Sequence, residues 1–212
     1  MTPDTRIVVD DEPYPTDPLT PGLEPRGTVL SKIDFREWFG NASPVLIEIG
    51  SGKGRFLVDS ALEDPDRNYV GIEKSLHYYR FIIERVVRRG IPNVRAIHLD
   101  AYMVLRDMVA SESVDEFHIY FPDPWPRPRE RKRRMIRDEV CQEMVRCLSP
   151  GGTGIYVTDH KEYFDKAVPV LERHFAVALG REEGIRPRTN YEAKYIEQGR
   201  EIYQARFRRR SS

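Results

Sequence analysis

Residues 121–125 read Phe-Pro-Asp-Pro-Trp, which sets the carboxylate of Asp123 between two prolines and beside an indole. Proline fixes the backbone φ and removes a donor, so Pro122, Pro124 and Pro126 stiffen this segment. Arg127, Arg129, Arg131, Lys132, Arg133, Arg134 and Arg137 follow at once, interrupted by the acid Glu130. A rigid carboxylate beside an aromatic ring suits a flat polar ring, and a dense cation cluster suits a phosphate backbone. The combination points to an enzyme that works on a nucleobase carried in a nucleic acid.

A second set of residues lies earlier in the chain. Glu48-Ile49-Gly50-Ser51-Gly52-Lys53-Gly54 holds three glycines at alternate positions, which let a backbone turn tightly and approach a ligand. The spacing is G-x-G-x-G, which is neither the dinucleotide fingerprint nor the Walker arrangement. Glu48 would repel a pyrophosphate but suits a cationic ligand. Glu73 follows a hydrophobic run and can accept both hydroxyls of a ribose, in a nicotinamide or an adenosyl cofactor. Asp100 ends the next such run and is placed either to accept from an adenine amino group or to cap the helix that follows it. A ligand with a ribose, an adenine and a positive centre but no phosphate is S-adenosylmethionine.

The elements that must position these groups alternate. Val45–Ile49, Tyr69–Ile72, Val94–Leu99, Val114–Phe121 and Gly154–Thr158 read as strands, with Phe175–Leu179 and Ile202–Phe207 as the last two. Between them, helices are expected over Gly54–Leu62, Leu76–Arg89, Ala101–Val109, Arg131–Leu148 and Lys161–His174, with a short one from about Tyr191. In Leu76–Arg89 the residues Tyr79, Ile83, Val86 and Val87 share a face, Ser75 can cap the start, and Gly90 and Pro92 end it. This alternation predicts a mainly parallel sheet covered on both faces, with ligands beyond the carboxyl ends of the strands. Glu48–Gly54, Glu73, Asp100, Phe121–Trp125 and Asp159 all fall at those ends.

The 212 residues suit one domain with a full core. Residues 1–27 carry Pro3, Pro13, Pro15, Pro18, Pro21 and Pro25 among acids, and read as an irregular segment preceding a catalytic domain over 28–212, with Arg6–Val9 as their one strand fragment. Net charge is zero, so a nucleic-acid partner is announced by the distribution of charge rather than its sum. Cys141 and Cys147 match no zinc or redox spacing, the histidines are scattered, and no metal is expected. With no apolar run of membrane length and no signal h-region, the chain reads as a cytoplasmic protein with no membrane partner, a monomer or homodimer.

Taken together, Glu48–Gly54, Glu73, Asp100, Phe121–Pro126 with Arg131-Lys132-Arg133-Arg134, and the later Thr189-Asn190-Tyr191-Glu192 resemble the bacterial tRNA (guanine-N7)-methyltransferases, over roughly residues 28–207. The resemblance implies a Rossmann-like class I methyltransferase fold, S-adenosyl-L-methionine as methyl donor, and a guanine at position 46 of the tRNA variable loop as acceptor. It implies that Glu48, Gly50, Gly52, Gly54, Glu73, Asp100 and Asp123 line the cofactor site, with Asp123 catalytic. Arg127, Asp159, Thr189, Asn190, Tyr191 and Glu192 would contact the substrate, and Arg129, Arg131, Lys132, Arg133 and Arg134 the RNA. Two positions depart from the family pattern. Arg127 stands where lysine is usual, keeping the charge but not the geometry, and Pro128 stiffens a segment that is usually basic.

Chemistry narrows these roles. Guanine N7 has an in-plane lone pair and no proton, so attack on a sulfonium methyl needs alignment and tolerance of positive charge, not a base. Asp123 is therefore expected to hold the guanine edge and stabilise the developing cation, with Asp159 as a second acceptor. Trp125 either stacks on the base, worth about 1–3 kcal/mol, or wedges under the loop. Thr189-x-x-Glu192 is also a capping box. A basic run at a helix start opposes the macrodipole, which argues for an anionic partner. Arg206, Arg208, Arg209 and Arg210 either add phosphate contacts or keep an edge strand soluble. The alternatives are an amino-methyltransferase on adenine or cytosine, whose Asp-Pro-Pro-Tyr element Pro-Asp-Pro-Trp loosely resembles, and a non-catalytic RNA-binding relative. A nicotinamide oxidoreductase is disfavoured by the glycine spacing and Glu48.

Overall fold

The computed structural model describes residues 32–180 and 189–210. Expectations for residues 1–27, including the strand fragment Arg6–Val9, lie outside the described residues.

Seven strands form one sheet in the order β3-β2-β1-β4-β5-β7-β6. They are β1 Val45–Ile49, β2 Asn68–Ile72, β3 Val94–Ile97, β4 Val114–Tyr120, β5 Leu148–Thr158, β6 Phe175–Leu179 and β7 Tyr203–Arg209. Pairings from β3 across to β5 are parallel, and β7 runs antiparallel to both of its neighbours. The expected mainly parallel seven-stranded sheet is observed, and the order reverses direction between β1 and β4. A crevice opens at such a switch point, beyond the carboxyl ends of the strands.

Buried strands read as continuous apolar runs because both faces are covered. All five residues of β1 are buried. Val45, Ile47 and Ile49 pack on one side, with Val104, Leu105, Val140, Met144 and Leu171 from the helices α4 (Ala101–Met103), α5 (Asp138–Cys147) and α6 (Lys161–His174) or the turn that extends α4. Leu46 packs on the other, with Phe56, Leu57, Ile82 and Val86 of α2 (Arg55–Glu63) and α3 (Leu76–Arg89). A short helix α1 (Phe35–Phe39), capped by the Asp34 carboxylate, was not apparent from periodicity because it spans barely one turn.

Three expected elements differ in detail. The helix at Ala101 is α-helical only to Met103 and continues as a π turn over Val104–Met108. β5 begins at Leu148 rather than at Gly154, because Leu148 already pairs with Val114. Residues 131–148 are not one helix. A 3-10 turn spans Pro128–Arg133, the chain is extended at Arg134, and α5 starts only at Asp138. Its first turn carries Asp138 and Glu139, the acids that a helix dipole favours. The basic run thus precedes the helix and does not oppose its dipole, so its placement by itself does not call for an anionic partner.

Candidate active site

The cofactor end is organised by the turn after β1. Gly50, Gly52 and Gly54 have φ of 76°, 52° and 69°, in the left-handed region. A Cβ placed on Gly50 or Gly52 would stand in open space, so the turn presents bare backbone outward. At Gly54 it would meet Ile82 Cγ1 at 2.9 Å, so α2 leaves the turn in close contact with α3. Gly50 N–H donates to the Ile72 carbonyl at 2.8 Å, tying the turn to β2.

Glu73, just past β2, braces the turn from the other side. One carboxylate oxygen accepts the Gly52 N–H at 2.8 Å and the other the Ser75 N–H at 2.7 Å. Ser75 was expected to cap α3 with its own side chain, but its side chain makes no capping bond. A carboxylate has about four acceptor directions, so Glu73 retains capacity toward a diol. Glu48 is 3% exposed, and its Oε2 has no hydrogen-bond partner in the protein. Burial, reinforced by the nearby Glu73 carboxylate, raises its pKa well above the usual range, and the Ser51 hydroxyl only partly offsets this. An orphaned, desolvated carboxyl under an open glycine turn is matched by a cationic or hydrogen-bond-donating ligand. Asp100 adopts its capping geometry: one oxygen accepts the Tyr102 N–H at 3.0 Å and the other pairs with Lys74 at 3.1 Å. The residues present therefore fit an adenosyl sulfonium ligand.

The expected substrate end is the loop after β4. Phe121 and Trp125 hold φ of 49° and 41°, left-handed values that are uncommon for bulky residues. Between them Asp123 is exposed. The strain is held by packing. Phe121 N–H donates to Val157 O at 2.8 Å, and the ring meets Tyr195 at 5.4 Å and Tyr191 at 6.4 Å. Both tyrosines lie on α7 (Asn190–Glu197), which closes over the loop. The Tyr191 hydroxyl is pushed up chiefly by partial burial, then by Tyr78 and Tyr195, with a smaller contribution from the Asp123 carboxylate. α3, α7 and the Asp123 loop therefore meet at one rim.

The basic run divides. Arg129 and Lys132 are exposed without a partner among the described residues, Arg127 lies 3.6 Å from Glu130, and Arg131 bonds Glu162 at 3.1 Å. Arg133 lies over the Trp125 ring at 3.9 Å, so a cation covers one face of the indole. Arg134 departs from its expected RNA contact. It is 5% exposed, and its guanidinium is turned inward onto the backbone of the Asp123 loop.

Thr189 and Glu192 are both buried, and the Thr189 hydroxyl accepts the Glu192 N–H at 3.0 Å, the capping geometry. Asp159 bonds Arg200 at 2.8 Å, and Arg200 lies over the Tyr195 ring at 4.6 Å. The structure brings Glu48, Glu73 and Asp100 to consecutive strand ends and Asp123 and Asp159 to the next two. Tyr78, Tyr195 and Arg200 join this rim without having been singled out. Only the i, i+4 spacing of Tyr191 and Tyr195 hinted at an aromatic face.

Elsewhere, a cleft of about 700 Å³ lined by Lys32, Asp34, Asn41, Ser43 and Asp115 opens at the opposite strand ends, away from these groups. Cys141 and Cys147 are buried, and burial pushes both thiols up to about 12, which leaves them inert. Among the described residues no cluster of His, Cys, Asp and Glu could hold a metal, and no helix is long and apolar enough to cross a membrane.

Comparison with known proteins agrees with this geometry. The methyltransferase family model Methyltransf_4 matches residues 42–205. The tRNA (guanine-N(7)-)-methyltransferase of Nitrosomonas eutropha is 34% identical over 175 residues, covering 80% of this chain and 78% of that protein. The protein of the same name from Streptomyces avermitilis is 32% identical, covering 89% and 66%. Among solved structures, the antibiotic-resistance methyltransferase Kmr superposes with a TM-score of 0.62 at 17% identity, covering 83% of this chain and 92% of its own, which speaks to the fold alone. On its sequence kinship and its fold, this chain belongs to the tRNA (guanine-N7)-methyltransferase family, whose methyl donor is S-adenosyl-L-methionine.

Proposed function

We propose that this protein methylates N7 of a guanine in tRNA, at position 46 of the variable loop, giving 7-methylguanosine. The observation that carries the reading is the placement of Asp123. Its loop, bounded by Phe121 and Trp125 at positive φ, stands at the end of β4, adjacent to the glycine turn at the end of β1. The names of the relatives support tRNA as the substrate and guanine N7 as the acceptor.

The cofactor, when bound, supplies a methyl group on a positively charged sulphur. Glu48 would meet the cationic part of that ligand, Glu73 the ribose and Asp100 the adenine edge. Asp123 would accept from the N1–H and amino group of guanine and so hold the ring with N7 turned toward the methyl donor. Transfer of the methyl would exchange its bond to sulphur for one to N7, leaving a neutral thioether, and the same carboxylate would stabilise the positive charge that reaches the purine. No proton has to leave N7, so the reaction needs no general base. Asp159, Thr189, Asn190, Tyr191 and Glu192 complete the substrate side, with the Tyr191 and Tyr195 rings forming its aromatic wall. Arg127, Arg129, Arg131, Lys132 and Arg133 meet the RNA backbone.

Incubation with labelled S-adenosyl-L-methionine and unmodified tRNA, followed by nucleoside analysis and chain cleavage at 7-methylguanosine, tests the reading. Label in 7-methylguanosine at position 46 is the expected result. Methylated adenosine or cytidine, or no transfer, overturns the reaction, and 7-methylguanosine elsewhere overturns the position.

A further inference from the structure

Arg134 belongs to the basic run by sequence but not by environment. Its Nε donates to the Pro124 carbonyl at 2.8 Å and its Nη2 reaches the Trp125 carbonyl at 3.5 Å. The guanidinium carbon lies 4.7 Å from the centre of the Tyr163 ring, and Nη2 lies 4.0 Å from Glu162. Tyr163 is itself fixed, since its hydroxyl accepts the Ile136 N–H at 3.0 Å. One buried side chain thus links α6 to the two residues that follow Asp123.

Those two residues need such a link. The peptide between Pro124 and Trp125 lies in a loop with left-handed values at Phe121 and Trp125, and such conformations persist only where surrounding contacts over-determine them. A planar fork with fixed donor directions defines two carbonyl positions at once, whereas the rotating donors of an ammonium define them less rigidly. Arg133 contributes as well, by covering the Trp125 ring.

We propose that Arg134 is a positioning residue of the methyl transfer: it acts through the Pro124 and Trp125 carbonyls to hold Asp123 where the guanine must dock, and makes no contact with RNA. The inference rests on the role assigned to Asp123. It separates Arg134 from Arg129 and Lys132, which lie in the same run and face solvent.

The test compares Arg134→Lys, Arg134→Gln, Asp123→Ala and Lys132→Ala in full-length protein, by kcat, KM for tRNA, cofactor affinity and the salt dependence of tRNA binding. Measurements are made below each variant's unfolding temperature. Misplacement of a reacting group by about 1 Å costs about 100-fold, so Arg134→Lys should lose kcat on that scale although it keeps the charge. Its KM for tRNA, its cofactor affinity and its log–log salt slope should stay near those of the parent. Arg134→Gln should behave likewise, so that a folding defect in either variant leaves the other decisive. Wild-type kcat in folded Arg134→Lys, or a loss confined to KM with a salt slope reduced by about 0.7–0.9 as for Lys132→Ala, overturns the inference. If Asp123→Ala methylates normally, the reading of Asp123 fails, and the positioning role fails with it. If Asp123→Ala is inactive and Arg134→Lys is not, the inference on Arg134 fails alone.

Discussion

Glu48 and Asp123 stand at the ends of adjacent strands, yet their surroundings are opposite. Glu48 is 3% exposed beneath a turn of three glycines, with one oxygen unpartnered. Asp123 is exposed on a loop of prolines and aromatics held by Arg134 and by the tyrosines of α7. The cofactor end is a local construction: strand, glycine turn and helix follow one another in sequence, and Glu73 ties the turn to its neighbour. The substrate end is assembled from distant segments. An acceptor as large as tRNA must enter from solvent, so its side of the site is open, whereas a small cationic ligand can be matched by a buried carboxylate. Changes at the first end should act on cofactor binding and folding, and changes at the second on turnover and RNA affinity.

The sharpest way to break this contrast is Asp123→Ala. Losing one group that stabilises transition-state charge costs about 100- to 1000-fold in kcat, and cofactor affinity should change less than about threefold. Equal losses in single-turnover rate and in cofactor affinity would merge the two ends into one. Gly54→Ala probes the other end by stability. Its Cβ would meet Ile82 at 2.9 Å from a backbone at φ 69°, and overpacking of this kind costs about 1–3 kcal/mol. An unchanged urea midpoint would show that α2 and α3 are not in rigid contact.

Glu48 supplies a prediction with a sign. Its folded pKa is raised, so the folded protein holds a proton that the unfolded chain releases near 4.5. The free protein should therefore lose stability as pH rises from about 4.5 through the folded value. A cationic ligand favours the charged carboxylate, so cofactor binding should release a proton. Calorimetry in buffers of different ionisation enthalpy should detect that release in the parent and not in Glu48→Gln. Equal proton release by both proteins would remove Glu48 from the cofactor's charge balance. The smallest effects are expected for Arg129→Ala and Lys132→Ala, each lowering the log–log salt slope of tRNA binding by about 0.7–0.9 with little change in kcat. Slopes that do not move would place the RNA elsewhere.

Arg134 shows where reading the chain alone stops. Within Arg131-Lys132-Arg133-Arg134 nothing local distinguishes the fourth cation, and a charge run ordinarily lies on a solvated face. Its burial follows from Tyr163 and Glu162, which β5 and the start of α6 bring back beneath the loop. The supposed helix over 131–148 failed for a related reason. Charged residues of good helical propensity leave the boundary to tertiary contacts, and the bond from Ile136 N–H to Tyr163 keeps this stretch outside the helix.

By itself the sequence determined the strand–helix alternation, the glycine turn, the acids at the strand ends, the capping box at Thr189 and the proline-braced Asp123. Each depends on backbone freedom, hydrophobic period or hydrogen bonds between near neighbours. Only the tertiary structure decided which cations face solvent and which turn inward onto the loop, that α7 meets Phe121 through Tyr191 and Tyr195, and that one oxygen of Glu48 is left without a partner. Those outcomes depend on burial, and burial is set by what the rest of the chain packs against a side chain rather than by its neighbours in sequence.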